Sequence, residues 1–330
     1  MKHLTILIPR YNINIISALG TYMMFKSANA FWTNIGKGPV FDVELAGGLN
    51  NDISVYNGLF SVHPQIDIKK ITKTDLVIIA ALQPEIDYSA SINQNKDLID
   101  WISNQYKKGA EIISLCTGAF LLASTGLLNG KMCSTHWSAA NEFRHLFPKV
   151  NLVTEKIITE EQGIMTSGGA FSFMNFLLYI VEKYYDRETA IFCSKAFEID
   201  MDRTSQSPFE IFRGQKKHND EAIKKVQTFL ENNFSEKINI EKLASDFAMG
   251  RRNLDRRFKK AAGNTPFEYL QRLKVEAAKK SFESTQKSIK EVMYDVGYCD
   301  FKAFRTTFRK ITGFSPLQYR NKYNNGTAIQ

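Results

Sequence analysis

The last third of the chain repeats itself. At an offset of 50 residues, Leu254 pairs with Phe304, Phe258 with Phe308, Lys259-Lys260 with Arg309-Lys310, Gly263 with Gly313, Pro266 with Pro316 and Tyr269 with Tyr319. Two copies are too few for a solenoid, so each reads as one supersecondary unit used twice. In the first copy Ile240, Leu243, Ala244 and Phe247 recur at helical spacing. Ala248-Met249-Gly250 reads as a short turn, with Gly250 where the helix stops. A second helix from about Arg251 to Ala262 turns Leu254 and Phe258 inward, and Gly263 ends it. In the second copy Ile289, Val292, Met293 and Val296 make the first helix and Gly297-Tyr298 the turn. Asp300 then caps a helix to about Lys310, with Phe304 and Phe308 inside. Helix, short turn, helix is the helix-turn-helix arrangement. Pro266–Phe282 predicts a single linking helix, roughly 25 Å long. That separation suits two helices entering successive major-groove faces, about 34 Å apart along a duplex, and a bent site eases the fit.

Charge follows the repeat. Residues 220–330 hold 22 Lys and Arg against 13 Asp and Glu, whereas residues 1–219 hold 21 of each, so the whole excess of nine lies in the C-terminal third. A concentrated basic excess favours a polyanionic partner, because each phosphate contact releases a counterion. The outward face of the first copy's second helix carries Arg251, Arg252, Asn253, Asp255, Arg256 and Lys259. Arg and Asn can form paired hydrogen bonds to guanine and adenine edges. Lys259, Lys260, Arg309 and Lys310 suit phosphates, which position without specifying. A lone helix with such a face would more often be simply solvated. The duplication, the glycine turns and the localised charge together favour double-stranded DNA.

Ile240–Tyr323 resembles the AraC-type DNA-binding domain over about 85 residues, through the segments GNTPFEYLQRLKVEAAKK and VGYCDFKAFRTTFRKITGFSPLQYR. The resemblance implies a seven-helix module with recognition helices at about 251–262 and 300–310. It places base contacts on Arg252, Asp255 and Arg256 in the first, and on Phe301, Lys302, Arg305 and Thr306 in the second. Phe301 is bulky where the family is usually polar.

Residues 1 to about 200 alternate differently. Strand-like apolar runs at Leu4–Ile8, Leu76–Ala80, Ile112–Leu115 and Gly163–Thr166 are separated by helical stretches such as Asp97–Lys108, Ala119–Thr125 and Phe173–Tyr185. This predicts a parallel sheet covered on both faces. The polar stretch Arg203–His218 reads as a linker. The expected division is residues 1–205 as a sensor and dimerisation domain, 206–219 as linker and 220–330 as the DNA-binding domain.

Within the first domain, Ile112–Leu115 runs into Cys116 and a helix begins near Gly118. A strand–turn–helix of this kind would expose Cys116 at a helix N-terminus, where the dipole favours a thiolate. It follows the logic of a nucleophile elbow, with His136 as the nearest base. A single Cys is nevertheless more often inert and a single His more often structural. The segments LCTGAFLLASTGLLNGK, STHW and MTSGGAFSF resemble the PfpI-like branch of the class I glutamine-amidotransferase-like superfamily, and with the C-terminal domain the layout resembles the GlxA-type regulators. This implies an α/β flavodoxin-like sandwich followed by an all-α domain with two helix-turn-helix units. Cys116 and His136 match the superfamily's reactive positions, but Asn12–Gly20 carries no Asp or Glu, and Met23 and Met24 follow where related regulators often carry an acid.

The expected function is transcription control by a homodimer on promoter DNA. A small-molecule effector would be held near Cys116, Thr117, Gly118, His136, Gly168 and Gly169; the glycines equally suit tight turns or close packing. A Cys-dependent amidase or hydrolase, or a thiol-based redox sensor, with a DNA-binding tail is the alternative. Neither a metal nor a cofactor is expected, because Cys116, Cys133, Cys193 and Cys299 lack paired spacing. No long apolar run suggests a membrane span and no leader is evident, so a cytoplasmic location is expected.

Overall fold

Each central strand of the N-terminal half is apolar on both sides. In the computed structural model, which describes residues 1–48, 53–84, 86–201, 203, 205–216 and 218–324, Leu4, Ile6, Leu76, Ile78 and Ile113 join one core, while Leu7, Val77, Ile79 and Ile112 join another. Successive strand residues point to opposite faces, so such runs need helices on both. The strands are β1 (Lys2–Leu7), β2 (Phe41–Gly47), β3 (Ile66–Asp67), β4 (Leu76–Ile79), β5 (Glu111–Ser114), β6 (Ile158–Glu161) and β7 (Ile164–Ser167). They form one sheet in the order β6-β7-β5-β4-β1-β2-β3. The first core is closed by α1 (Ile15–Asn34), α4 (Phe173–Tyr184) and α5 (Arg187–Ala196), the second by α2 (Lys96–Lys107) and α3 (Ala119–Ser124).

The sheet departs from the all-parallel expectation at one edge. β6 pairs antiparallel with β7 through the two-residue turn Gln162-Gly163. Both turn residues have positive φ, 53° and 73°. That is the condition for a tight hairpin matched to strand twist.

The chain divides into two compact units, Met1–Gln206 and Ser207–Gln330. The stretch read as a linker is therefore partitioned. Gln206 closes the first unit. Residues after it pack on the second: Arg272 pairs with Glu210 at 2.5 Å, and the Phe212 ring meets Tyr269 edge-on at 5.0 Å.

Among the described residues the second unit consists of a short 3-10 turn, Ser207–Phe209, and the helices α6 (Glu221–Asn232), α7 (Ile240–Asp246), α8 (Arg251–Ala262), α9 (Pro266–Ser284), α10 (Ile289–Asp295), α11 (Phe301–Thr312) and α12 (Pro316–Tyr323). The duplication is visible in the caps. α8 and α11 each end on a left-handed glycine, Gly263 and Gly313. Within three residues α9 and α12 begin with a capping box, Thr265/Glu268 and Ser315/Gln318, and a Pro in the first turn. α9 serves both copies. Tyr269 and Leu270 lie in one core with Leu254 and Phe258, and Val275, Ala278 and Phe282 lie in another with Phe304 and Phe308.

The two turns differ. α7 and α10 are offset by 49 residues, α8 and α11 by 50, so the second turn holds one more residue. In the first turn the left-handed residue is Ala248 (φ 53°), not Gly250, which is the extended N-cap of α8. In the second it is Gly297 (φ 75°). A Cβ on Gly297 would lie 1.9 Å from the Ser235 carbonyl oxygen. Lys274, itself buried, donates to the Gly297 carbonyl at 2.9 Å. We expect Gly297→Ala to destabilise the protein by about 2 kcal/mol or more, because left-handed strain adds to a backbone clash. Urea denaturation followed by circular dichroism measures this, and an unchanged midpoint would contradict it.

Candidate functional site

Two groups of side chains are candidates for function, one in each unit. On α8, Leu254, Phe258 and Ala262 face inward. This leaves Arg251, Arg252, Asn253, Arg256 and Lys259 exposed, with Asp255 half-buried. The outer face is ordered by its own contacts: Arg251 Nε donates to Asp255 at 2.8 Å and Arg256 to the Asn253 side-chain oxygen at 3.1 Å. Sequence reasoning missed Arg257, whose guanidinium grips both oxygens of Asp220 at 2.6 and 3.0 Å. Asp220 also caps α6, and the Arg257 hydrogen bonds hold its carboxyl below the usual range. Arg257 thereby fixes α8 against α6.

On α11, Phe304, Phe308 and Thr312 are buried, and Phe301, Lys302, Arg305, Thr306 and Arg309 are exposed. Lys302, Arg305, Thr306, Arg309 and Lys310 line one open hollow. Residues 301–330 contain six Lys and Arg and no Asp or Glu. Glu268, in the first turn of α9, has its carboxyl lowered first by the Thr265 backbone and further by the charges of Lys259 and Lys310. One carboxylate thus feels the C-terminal ends of both α8 and α11.

The second group stands at the carboxyl ends of β5 and β7, beside the point between β1 and β4 where the strand order reverses. Open α/β sheets bind ligands in this region. Cys116 follows β5 with φ 52°, and Ala170 follows β7 with φ 49°. Each left-handed residue opens a short 3-10 turn that leads into a helix. Non-glycine residues held in this conformation carry strain of about 1–3 kcal/mol, and such strain clusters at functional sites. The Cys116 backbone is pinned on both sides: its N–H donates to Ser167 Oγ at 3.2 Å, and its carbonyl accepts from Thr135 Oγ1 at 2.9 Å.

The expected exposed thiolate is not what this site provides. Cys116 is 8% exposed. Burial pushes its thiol above the ordinary value, although hydrogen bonds from Ala170, Thr117 and His136 pull the other way. Burial also lowers the His136 imidazole. His136 Nδ1 accepts from the Ser138 backbone at 3.1 Å and lies 2.7 Å from its hydroxyl, and no carboxylate among the described residues hydrogen bonds the ring. We expect Cys116 to alkylate more slowly than a free thiol at pH 8, because a raised pKa leaves less thiolate. Iodoacetamide labelling across pH, with peptide mapping, should place its inflection above that of a free cysteine peptide measured alongside; an inflection below would overturn this assignment.

The three glycines are close-packing positions. A Cβ on Gly118 would meet the Ala80 carbonyl oxygen at 2.8 Å, on Gly168 the Gln206 amide at 2.8 Å, and on Gly169 the His136 ring at 1.9 Å. Thr117 is buried and donates to the Leu82 carbonyl at 2.6 Å. Gln206 is the residue sequence reasoning assigned elsewhere. It is buried, its Nε2 donates to the Thr135 carbonyl at 2.9 Å, and its Oε1 accepts from the Gly169 N–H at 3.2 Å. Contacts 71 and 37 residues distant in sequence leave no local signal. Gln206→Ala would strand both backbone groups, and we expect a loss of about 1–3 kcal/mol, read as a lowered thermal midpoint for the first unit; an unchanged midpoint would contradict it.

The DJ-1/PfpI family pattern matches residues 41–183, and a helix-turn-helix domain pattern matches residues 243–322. The chain joins a DJ-1/PfpI domain to an AraC-type helix-turn-helix domain. Within this family pairing it is similar to the HTH-type transcriptional regulator GbdR of Pseudomonas aeruginosa, with 26% identity over 229 residues, 68% of this chain and 61% of that one. It is also similar to the HTH-type transcriptional regulator CdhR of the same species, with 23% identity over 267 residues, 80% and 77% of the two chains. Alignment with the first of these relatives spans about three fifths of that protein's length. The DJ-1/PfpI fold is shared with the crystal structure of a THiJ/PfpI family protein from Pseudomonas syringae, at a TM-score of 0.51 and 17% identity, covering 75% of this chain and 90% of that one. No helix among the described residues is long and apolar enough to cross a membrane.

Proposed function

We propose that this chain is a sequence-specific DNA-binding transcription regulator whose DJ-1/PfpI domain senses a small molecule. The observation that carries the reading is the pair α8 and α11. Each buries one face against the shared helix α9 and presents a cationic outer face. In this reading Arg252 and Arg256 pair with purine edges, and Asp255 accepts from a base amino group such as that of cytosine. Asp255 would repel phosphate, so a base donor is the partner that suits it. Lys302, Arg305 and Thr306 occupy the matching register on α11. Lys259, Arg309 and Lys310 hold phosphates. The names of similar regulators support the same reading.

The elbow region serves binding rather than turnover. A buried, raised thiol and an imidazole engaged by Ser138 instead of a carboxylate favour neither the hydrolase nor the redox alternative. A ligand there acts on DNA affinity only if it binds the DNA-competent and incompetent states differently. Gln206, the last residue of the sensing unit, is hydrogen bonded to Gly169 and Thr135 next to the elbow, so a ligand there would act on the end of that unit. Homodimerisation would raise affinity by tethering two half-sites.

We expect Arg252→Ala and Arg256→Ala each to cost about 1–3 kcal/mol and to relax discrimination at one base pair. Arg309→Ala should weaken all sequences alike and reduce the salt slope by about one. Gel-shift titrations at several salt concentrations separate the two classes. Normal discrimination in both α8 variants would refute the base-reading assignment.

A further inference from the structure

Phe301 is 45% exposed at the first position of α11, beside the cationic face of Lys302, Arg305 and Arg309. The fold makes no evident use of that ring. Asp300 performs the capping by accepting from the Ala303 N–H at 2.8 Å, and Phe304 and Phe308 supply the inward anchors. The duplication sharpens the anomaly. The equivalent residue on α8 is Arg251, paired with Asp255; on α11 the same two register positions are Phe301 and Arg305. The second helix-turn-helix thus exchanges an intrahelical ion pair for an aromatic ring and a cation with no acidic partner among the described residues.

The charge around Phe301 selects a polyanionic partner, and the N-terminal residues of a recognition helix are those that reach base edges. Major-groove edges are almost wholly polar, and the apolar group they offer is the thymine C5-methyl. We propose that Phe301 reads a thymine methyl, making the second helix-turn-helix a thymine-selective element flanked by phosphate contacts, while the first reads through hydrogen bonds. This rests on the DNA-binding reading given above.

The test uses the full chain and a random duplex library. After selection, each thymine of the enriched duplex is replaced singly by deoxyuridine, which removes the methyl and leaves the pairing edge intact. At one position in the part of the site bound by α11, wild type should bind the uridine duplex about fourfold more weakly, the worth of one buried methyl. Phe301→Ser should bind both duplexes equally, and Phe301→Leu should retain part of the difference. Circular dichroism of both variants checks that α11 is intact, and Phe301→Leu carries the test should the serine variant unfold. Equal binding of every uridine duplex by wild type, or a methyl preference that survives in Phe301→Ser or is unaltered in Phe301→Leu, would overturn the proposal. Failure to enrich any sequence would overturn the regulatory reading and this one with it, so the two failures are distinguishable.

Discussion

The C-terminal unit depends on one helix being buried along its length in two different cores. α9 gives Tyr269 and Leu270 to the core of the first helix-turn-helix, and Val275, Ala278 and Phe282 to that of the second. Aromatic contacts repeat the arrangement: Phe258 meets Tyr269 at 5.2 Å and Phe308 meets Tyr319 at 5.5 Å, both edge-on. Its nineteen residues make it about 28 Å long, enough to carry both sets of anchors on one rigid element. Because α8 and α11 each spend their apolar stripe on this packing, their charged faces have no role in the core. That separation of faces turns a generic basic composition into a directed surface.

The N-terminal unit solves a different problem with a similar device. The turns that follow two neighbouring strands each hold a left-handed residue, Cys116 and Ala170, and backbone groups of Ala170, Thr117 and His136 gather around the thiol. The surrounding loops then close over the sulfur. The result keeps the geometry of a nucleophile elbow without its electrostatics, since desolvation outweighs the donors that would favour a thiolate. Gln206 completes the enclosure with a carboxamide that satisfies one buried donor and one buried acceptor at once.

Much of this was legible in the sequence where it depended on local periodicity. Leu254, Phe258, Phe304 and Phe308 are inward as their spacing requires, and Gly263 and Gly313 end their helices. The strands at β1, β4, β5 and β7 lie within two residues of their expected bounds, because continuous apolar runs fit a sheet buried on both faces. Features set by tertiary context were not legible. The extra residue in the second turn is masked by an alignment that holds at 50 from α8 and α11 onward and slips to 49 only at the preceding helices α7 and α10. Ala248 carries a conformation expected of Gly250, because the neighbouring helices fix the turn. Cys116 reads as exposed from its motif, yet its burial comes from segments around residues 80, 135 and 170. Gln206 has no local pattern at all, and so a linker assignment from polarity placed it outside the domain it completes.

The central claim is that one rigid helix presents two reading helices to the same face of a duplex. Hydroxyl-radical footprinting of the full chain on its selected duplex tests it most directly. The account predicts two protected windows on one face of the DNA, about ten base pairs apart. A single window, or two on opposite faces, would contradict it.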